Sequence, residues 1–284
     1  MTQQRLRLVI AKRVRGLLSG EHLSWQLSTR GHDLEEKKKF RLGDDPRSVD
    51  FLATAKRGDE EPRVTINRIE KAANLLFLID CSPSVRFGTK NIKYHYAIDF
   101  VRQVTVACMG GGNRLRFVAF DEKVRYISNY TMSANTADEF LADVSRVPIS
   151  RSLTDLKKAL TEISGMTGQF SINMPGLIFI ISDFLFETNF NQQIAGVSEH
   201  SDVIAVILQD PAELSLPRPR FGLTRLVDPE TGRSFLARQS ISPLDRVIPI
   251  LKRCGVDWLE VNTGVDMGKS IENLIKLFEK RKED

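Results

Sequence analysis

From about residue 73 the chain alternates short apolar runs with amphipathic ones. Asn74-Leu-Leu-Phe-Leu-Ile-Asp80 is continuously apolar between polar ends, which predicts a strand buried on both faces. Ile92–Met109 predicts a helix, with Tyr96, Phe100, Val104 and Cys108 at four-residue spacing and Gly110-Gly111-Gly112 to close it. Arg114–Phe120 alternates as a strand, and Asp121-Glu122 turns the chain into Val124–Ile127. Helices are expected at Thr136–Val147 and Thr154–Met166, then a second apolar strand at Gly176–Asp183. A helix near Phe190–His200 leads to a third apolar strand, Val203–Leu208. Strands alternating with helices at this spacing predict a mostly parallel sheet with helices on both faces.

Beyond Pro211 the pattern changes. Thr224–Ala237 reads as a hairpin with its tip at Asp228-Pro229-Glu230-Thr231-Gly232. A helix (Pro243–Arg253), a strand (Trp258–Val261) and an amphipathic helix (Lys269–Lys282) follow. Residues 1–72 fit no such alternation. They predict a helix at Leu6–Leu18 and short strands around Phe40, Val49–Phe51 and Val64–Ile66, a β or irregular platform. The expected division is therefore 1–72, an α/β domain at 73–210, and a C-terminal extension at 211–284 packed on that domain.

Charge sharpens this division. Residues 1–73 hold 16 Lys and Arg against 11 Asp and Glu, and the remainder holds 25 of each, so the whole surplus of five lies in the first quarter. No apolar run approaches the roughly 20 residues of a membrane-spanning helix, and Met1–Arg5 does not begin a secretory signal. Cys81, Cys108 and Cys254 are widely spaced, and the four His show no ligand spacing, which argues against a disulfide scaffold and against zinc. A cytoplasmic protein is expected, with peripheral association at the inner membrane through partners as the alternative.

The candidate chemistry sits where apolar strands end. Asp80-Cys81-Ser82-Pro83-Ser84 is a D-x-S-x-S pattern, the strand ending at Ile181 runs into Ser182-Asp183, and a helix opens at Thr154-Asp155. Open α/β sheets bind ligands beyond the carboxyl ends of their strands, where the strand order reverses. Carboxylates and hydroxyls without His or Cys suit a hard cation, Mg²⁺ before Mn²⁺ or Ca²⁺. Each pattern alone is also an ordinary cap or turn; the three together, each at an element boundary, carry the metal reading. Gly110-Gly111-Gly112 follows a helix and lacks G-K-[ST], so it is not a phosphate loop. Lys37-Lys38-Lys39 is expected to be a solvated face.

These motifs resemble the metal-ion-dependent adhesion site of von Willebrand factor A domains. Upstream, Gly43-Asp44-Asp45-Pro46-Arg47-Ser48-Val49-Asp50-Phe51, with Ala53-Thr54-Ala55-Lys56 and Glu70, resembles the G-D-D-P-R-x-I-D-W block of the bacterial family known as domain of unknown function 58. Phe51 stands where Trp is usual, Lys38 where Arg is, and Val85 where Met often is. The resemblance spans about Gly31 to the C-terminus. It implies a von Willebrand A-like doubly wound sheet, with Asp80, Ser82, Ser84, Thr154 and Asp183 as metal ligands and Cys81 turned into the core. It also implies a partner protein that completes the ion's coordination with an Asp or Glu carboxylate. A MoxR-type AAA+ ATPase and other von Willebrand A-domain proteins are the partners the family suggests.

The leading expectation is a non-enzymatic adaptor or co-chaperone for client assembly, with Arg41, Asp44, Asp45, Arg47 and Asp50 as a second contact surface or a salt-bridged platform. A metal-dependent phosphoryl hydrolase would need a second metal's worth of carboxylates, a His or Lys base in the crevice or a phosphate-cradling loop, and none of these is expected. Nucleic-acid binding through the basic first quarter lacks aromatic interleaving with the basic residues, so nucleic acid is not the expected partner. Asp183→Ala is expected to abolish ion-dependent binding at little cost in stability, because the residue ends a strand.

Overall fold

The computed structural model describes residues 27–28, 34–39, 63–68, 73–109, 113–148, 154–167, 175–186, 189–214, 224–227, 234–237 and 243–283. The chain divides into two compact units, Arg15–Lys71 and the remainder (Met1–Val14 with Ala72–Asp284). The smaller unit holds an antiparallel three-stranded sheet. It consists of β1 (Leu27–Ser28), β2 (Leu34–Lys39) and β3 (Arg63–Arg68), with β3 in the centre. β3 contains the expected Val64–Ile66 strand. β2 is built from Leu-Glu-Glu-Lys-Lys-Lys, a charged run without apolar alternation, whose pairing with β3 puts Lys37 opposite Thr65 and Lys38 opposite Val64. The run expected to be a solvated face lies in a strand. The expected helix at Leu6–Leu18, the strands near Phe40 and Val49–Phe51, and the residues Arg41, Asp44, Asp45, Arg47 and Asp50 lie outside the described residues. So do Gly110–Gly112 and the hairpin tip.

The larger unit is built on a six-stranded sheet. In chain order its elements are β4 (Asn74–Asp80), α1 (Lys93–Cys108), β5 (Arg114–Phe120), β6 (Val124–Ile127), α2 (Ala134–Ser145), α3 (Leu156–Thr167), β7 (Leu177–Ser182), α4 (Asn191–His200) and β8 (Asp202–Gln209). Then come a four-residue helix α5 (Pro211–Leu214), the antiparallel hairpin β9 (Thr224–Val227) and β10 (Ser234–Ala237), α6 (Pro243–Arg253), β11 (Asp257–Asn262) and α7 (Met267–Glu283). The strand order is β11-β8-β7-β4-β5-β6, parallel except for the edge strand β6. Counted from the first strand this is the doubly wound order 3-2-1-4-5-6, so the order reverses between β4 and β7. The fold is von Willebrand factor A-like, as the resemblance implied.

Strand periodicity explains the two cores. Leu75, Phe77 and Ile79 of β4 point into one layer with α1, α2 and α7, whereas Leu76 and Leu78 point into the other with α3, α4 and α6. Buried on both faces, the central strands read as unbroken apolar runs. Across the first layer Phe77 stacks on Phe117 at 5.4 Å and on Phe179 at 5.2 Å, because the parallel register sets the three side by side. Among the described residues no helix is long and apolar enough to cross a membrane.

Candidate metal centre

The helix after β4 packs on one face of the sheet and the helix after β7 on the other, so the two following loops part at the switch point. The parallel register of Ile79 with Ile181 brings Asp80 beside Ser182 at the carboxyl edge. The Ser182 hydroxyl donates to Asp80 Oδ2 at 2.6 Å, and the Ser82 backbone N–H donates to Asp80 Oδ1 at 2.8 Å. Ser82 Oγ and Ser84 Oγ share a hydrogen bond of 3.0 Å, and Ser84 Oγ donates to Asp183 Oδ1 at 3.2 Å. Asp80, Ser82, Ser84 and Asp183 therefore form one hydrogen-bonded chain, and all four are buried. The i to i+2 spacing puts both serines within reach because a turn of 3₁₀ helix at Ser84–Arg86 curls the loop back over the strand end.

Thr154 reaches the same edge by another route. The Asp155 N–H donates to the Asp121 carbonyl at the end of β5, and the Cys81 N–H donates to the neighbouring Phe120 carbonyl. Thr154, buried just before α3, is thereby held near the carboxyl end of β5, the strand that pairs with β4. Asp155 itself accepts from the Lys158 N–H, as a helix cap does. Cys81 lies in the core as expected, its thiol donating to the Phe120 carbonyl at 3.1 Å. Burial and then the Asp80 charge hold that thiol far above its ordinary range, so it stays neutral.

Asp183 departs from expectation. It is wholly buried and ion-paired, its Oδ2 accepting from Lys93 Nζ at 2.6 Å. The expectation that Asp183→Ala would cost little stability fails on this point, since the change would leave a buried ammonium short of a partner. Lys93 Nζ also donates to Glu213 Oε1 at 2.6 Å. Burial alone would depress the Lys93 pKa, but the charges of Asp183 and Glu213 and the hydrogen bonds to both outweigh it, leaving it raised. Glu213 closes a reciprocal cap of α5: its Oε2 accepts the Asp210 N–H while Asp210 Oδ1 accepts the Ala212 N–H. Asp210 in turn takes the N–H and hydroxyl of Thr89, tying the β4–α1 loop to the end of β8.

Lys93, Asp210 and Glu213 were not singled out from the sequence, yet each left a signal. Lys93 lies three residues before Tyr96 and seven before Phe100, a cation on the apolar stripe of α1. Asp210-Pro211-Ala212-Glu213 is a capping box with Pro at the first helical position. The backbone after Asp183 carries a further mark. Phe184 is the one described non-Gly residue with positive φ, at 53°, and its ring packs with Phe186 and Phe190. That left-handed turn lets the Phe184 and Leu185 N–H groups reach Ser182 Oγ and Asp183 Oδ1.

The two carboxylates share little water. Burial first, and the Asp183 charge second, push Asp80 up to about 7 from 3.8. Among the described residues no group of three His, Cys, Asp or Glu could hold a metal, so any ion here would rest on two carboxylates and neutral hydroxyls. That donor set, all oxygen, fits Mg²⁺ or Mn²⁺, and a cation would offset both the burial and the Asp183 charge that raise Asp80. One oxygen of Asp183 is already committed to Lys93.

A von Willebrand A-like sheet with oxygen donors gathered at its switch point defines the class. The chain belongs to the family described as "Protein of unknown function DUF58", which matches residues 36–243. It is 25% identical over 289 residues to "Uncharacterized protein Rv1480" of Mycobacterium tuberculosis, covering 92% of this chain and 84% of that protein. Among solved structures it is similar to the conserved hypothetical protein BatB from Bacteroides thetaiotaomicron, at a TM-score of 0.53 and 13% identity over 75% of this chain and all of that one. The SpRpn10 VWA domain matches at a TM-score of 0.46 and 8% identity, over 70% of this chain and 94% of that chain.

Proposed function

We propose that this chain is a non-enzymatic, metal-dependent protein-interaction module. The observation that carries the reading is the hydrogen-bonded set Asp80–Ser82–Ser84–Asp183 at the switch point, with Thr154 held at the same edge. Asp80, Ser82, Ser84, Thr154 and Asp183 would hold Mg²⁺, with Mn²⁺ or Ca²⁺ as substitutes. Two carboxylates, one of them already paired with Lys93, leave such an ion electrophilic and ready to accept an Asp or Glu carboxylate from a protein partner. Phe87 and Leu185, on the loops that carry Ser84 and Asp183, are 44% and 43% exposed and would give that partner apolar contact beside the ion. The family resemblance supports a MoxR-type AAA+ ATPase as co-worker and a client complex as the object of their action, with this chain as adaptor.

The test is calorimetric titration of the EDTA-stripped protein with MgCl₂, followed by an acidic peptide with and without the ion. The reading expects Mg²⁺ binding that Ser84→Ala weakens and Asp80→Asn removes, and peptide binding only when the ion is present. Absence of Mg²⁺ binding at millimolar concentration in the wild type and in variants with fewer positive charges around the crevice would overturn it.

A further inference from the structure

Lys93 stands out because nothing in the metal-site reading calls for it. Its side chain is 0% exposed, within a helix stripe that otherwise carries Tyr96, Ala97, Phe100 and Val104 into the core. A buried ammonium is tolerated only where opposite charges compensate its lost hydration. Here Asp183 Oδ2 and Glu213 Oε1 do so, each at 2.6 Å, and the Phe87 ring lies 5.9 Å from Nζ on the loop above. The two oxygens of Asp183 thus serve different ends. Oδ2 is committed to the ammonium, while Oδ1 takes the Ser84 hydroxyl and the Leu185 N–H.

We propose that Lys93 is a built-in competitor of the divalent ion. Its ammonium holds Asp183 in place when no ion is bound, and its charge, one carboxylate away from the ion position, weakens ion binding. The proposal rests on the metal-site reading above and adds what sets its affinity. Glu213 works in the opposite sense, because it takes up part of the ammonium's charge while its other oxygen is fixed by the Asp210 N–H. The crevice therefore keeps its shape without an ion, and ion occupancy becomes a matter of cellular concentration and of the carboxylate a partner brings. An adaptor that must let go of its partner benefits from an ion held weakly until both are present.

The two residues have opposite charges in one salt-bridged group, so their neutral variants must move ion affinity in opposite directions. General loosening of the fold would move both the same way. Removing a unit positive charge this close to a dication should tighten binding by about tenfold or more, and removing the Glu213 charge should weaken it several-fold. The experiment is calorimetric titration with MgCl₂ and MnCl₂ at pH 8 of EDTA-stripped wild type, Lys93→Met and Glu213→Gln. Asp80→Asn serves as the variant without a site.

The expected result is Lys93→Met tighter than wild type and Glu213→Gln weaker, with Asp80→Asn silent. Wild-type binding with both variants within twofold of it, or shifted in the same direction, overturns the role of Lys93 and leaves the metal site standing. Binding seen in Lys93→Met and absent from wild type supports the proposal in its strongest form. No binding in any of the three removes the metal site itself and the proposal with it. If Lys93→Met does not fold without ions, the Glu213→Gln arm decides alone, because Glu213 is partly exposed and its neutral variant keeps the Lys93–Asp183 pair.

Discussion

Raising the pH from 5 to 8 without divalent ions should cost the fold roughly 2–3 kcal/mol through the Asp80 carboxyl, and Asp80→Asn should remove that loss. In the native state the Asp80 carboxyl keeps its proton up to about pH 7, because burial and the neighbouring Asp183 charge disfavour the anion; in the unfolded chain it releases it near 3.8. Between those values the native state binds more protons than the unfolded state, so stability falls as pH rises, by about 1.36 kcal/mol per unit. The contribution is complete below 3.8 and gone above about 7. A scan from pH 5 to 8 crosses about two units of that window. The assay is urea unfolding in EDTA at pH 5, 6, 7 and 8 for wild type and Asp80→Asn, with the other titrating groups cancelled by taking the difference between the two proteins. Asn suits the position, since its oxygen can still accept the Ser82 N–H and its amide can donate to Ser182 Oγ, where the Asp now accepts. Asp80→Asn should become the more stable protein as pH rises. A wild-type-minus-variant difference that stays flat, or grows in the wild type's favour, refutes the reasoning.

At pH 8, thermal unfolding should show Mg²⁺ stabilising the wild type by about 2.7 kcal/mol at a hundredfold excess over its dissociation constant, and leaving Asp80→Ala unmoved. Asp183→Ala should destabilise by roughly 3–5 kcal/mol in chemical denaturation, because it strands the buried Lys93 ammonium on Glu213 alone; a loss under about 1 kcal/mol would mean that the pair contributes no more than a surface one. Phe77→Ala should cost about 3–5 kcal/mol by urea unfolding, since it empties the middle of the Phe117–Phe77–Phe179 stack.

The parts of the fold that were legible are those whose sequence carries one period strongly. β4 and β5 begin and end where expected, β4 because its apolar run is buried on both faces, β5 because Arg114 and Arg116 alternate with the buried Leu115 and Phe117 before the strand turns apolar. α2 starts at Ala134, two residues before the expected Thr136, because the Ser133 hydroxyl caps it and the apolar face begins only at Ala137. β2 was hidden because its pairing is set by backbone hydrogen bonding to β3 and by no apolar face of its own. At the carboxyl edge, the meeting of Asp80, Ser82, Ser84 and Asp183 was legible because these residues end or follow β4 and β7, whereas the ion pair was not. Lys93 and Asp183 are 90 residues apart, and only the packing of α1 against the sheet brings them together.

That pair changes what the donor residues mean. Two carboxylates, read from sequence alone, suggest a crevice with two negative charges in wait for a cation. In the folded protein Asp183 is offset by Lys93, and Asp80 carries a proton until about pH 7. With Glu213 counted, the crevice below about pH 7 without an ion therefore carries one net negative charge where the sequence suggested two, and an arriving dication must displace a proton from Asp80 and share Asp183 with an ammonium. Both requirements lower its affinity, and both are eased by a further carboxylate. A partner's Asp or Glu would supply the negative charge that Lys93 and the Asp80 proton withhold, so ion and partner should each bind better in the presence of the other. By linkage the two enhancements must be equal. Measuring the Mg²⁺ affinity with and without an acidic peptide, and the peptide affinity with and without Mg²⁺, tests that equality; an ion affinity indifferent to the peptide would show that the partner's carboxylate does not reach the ion.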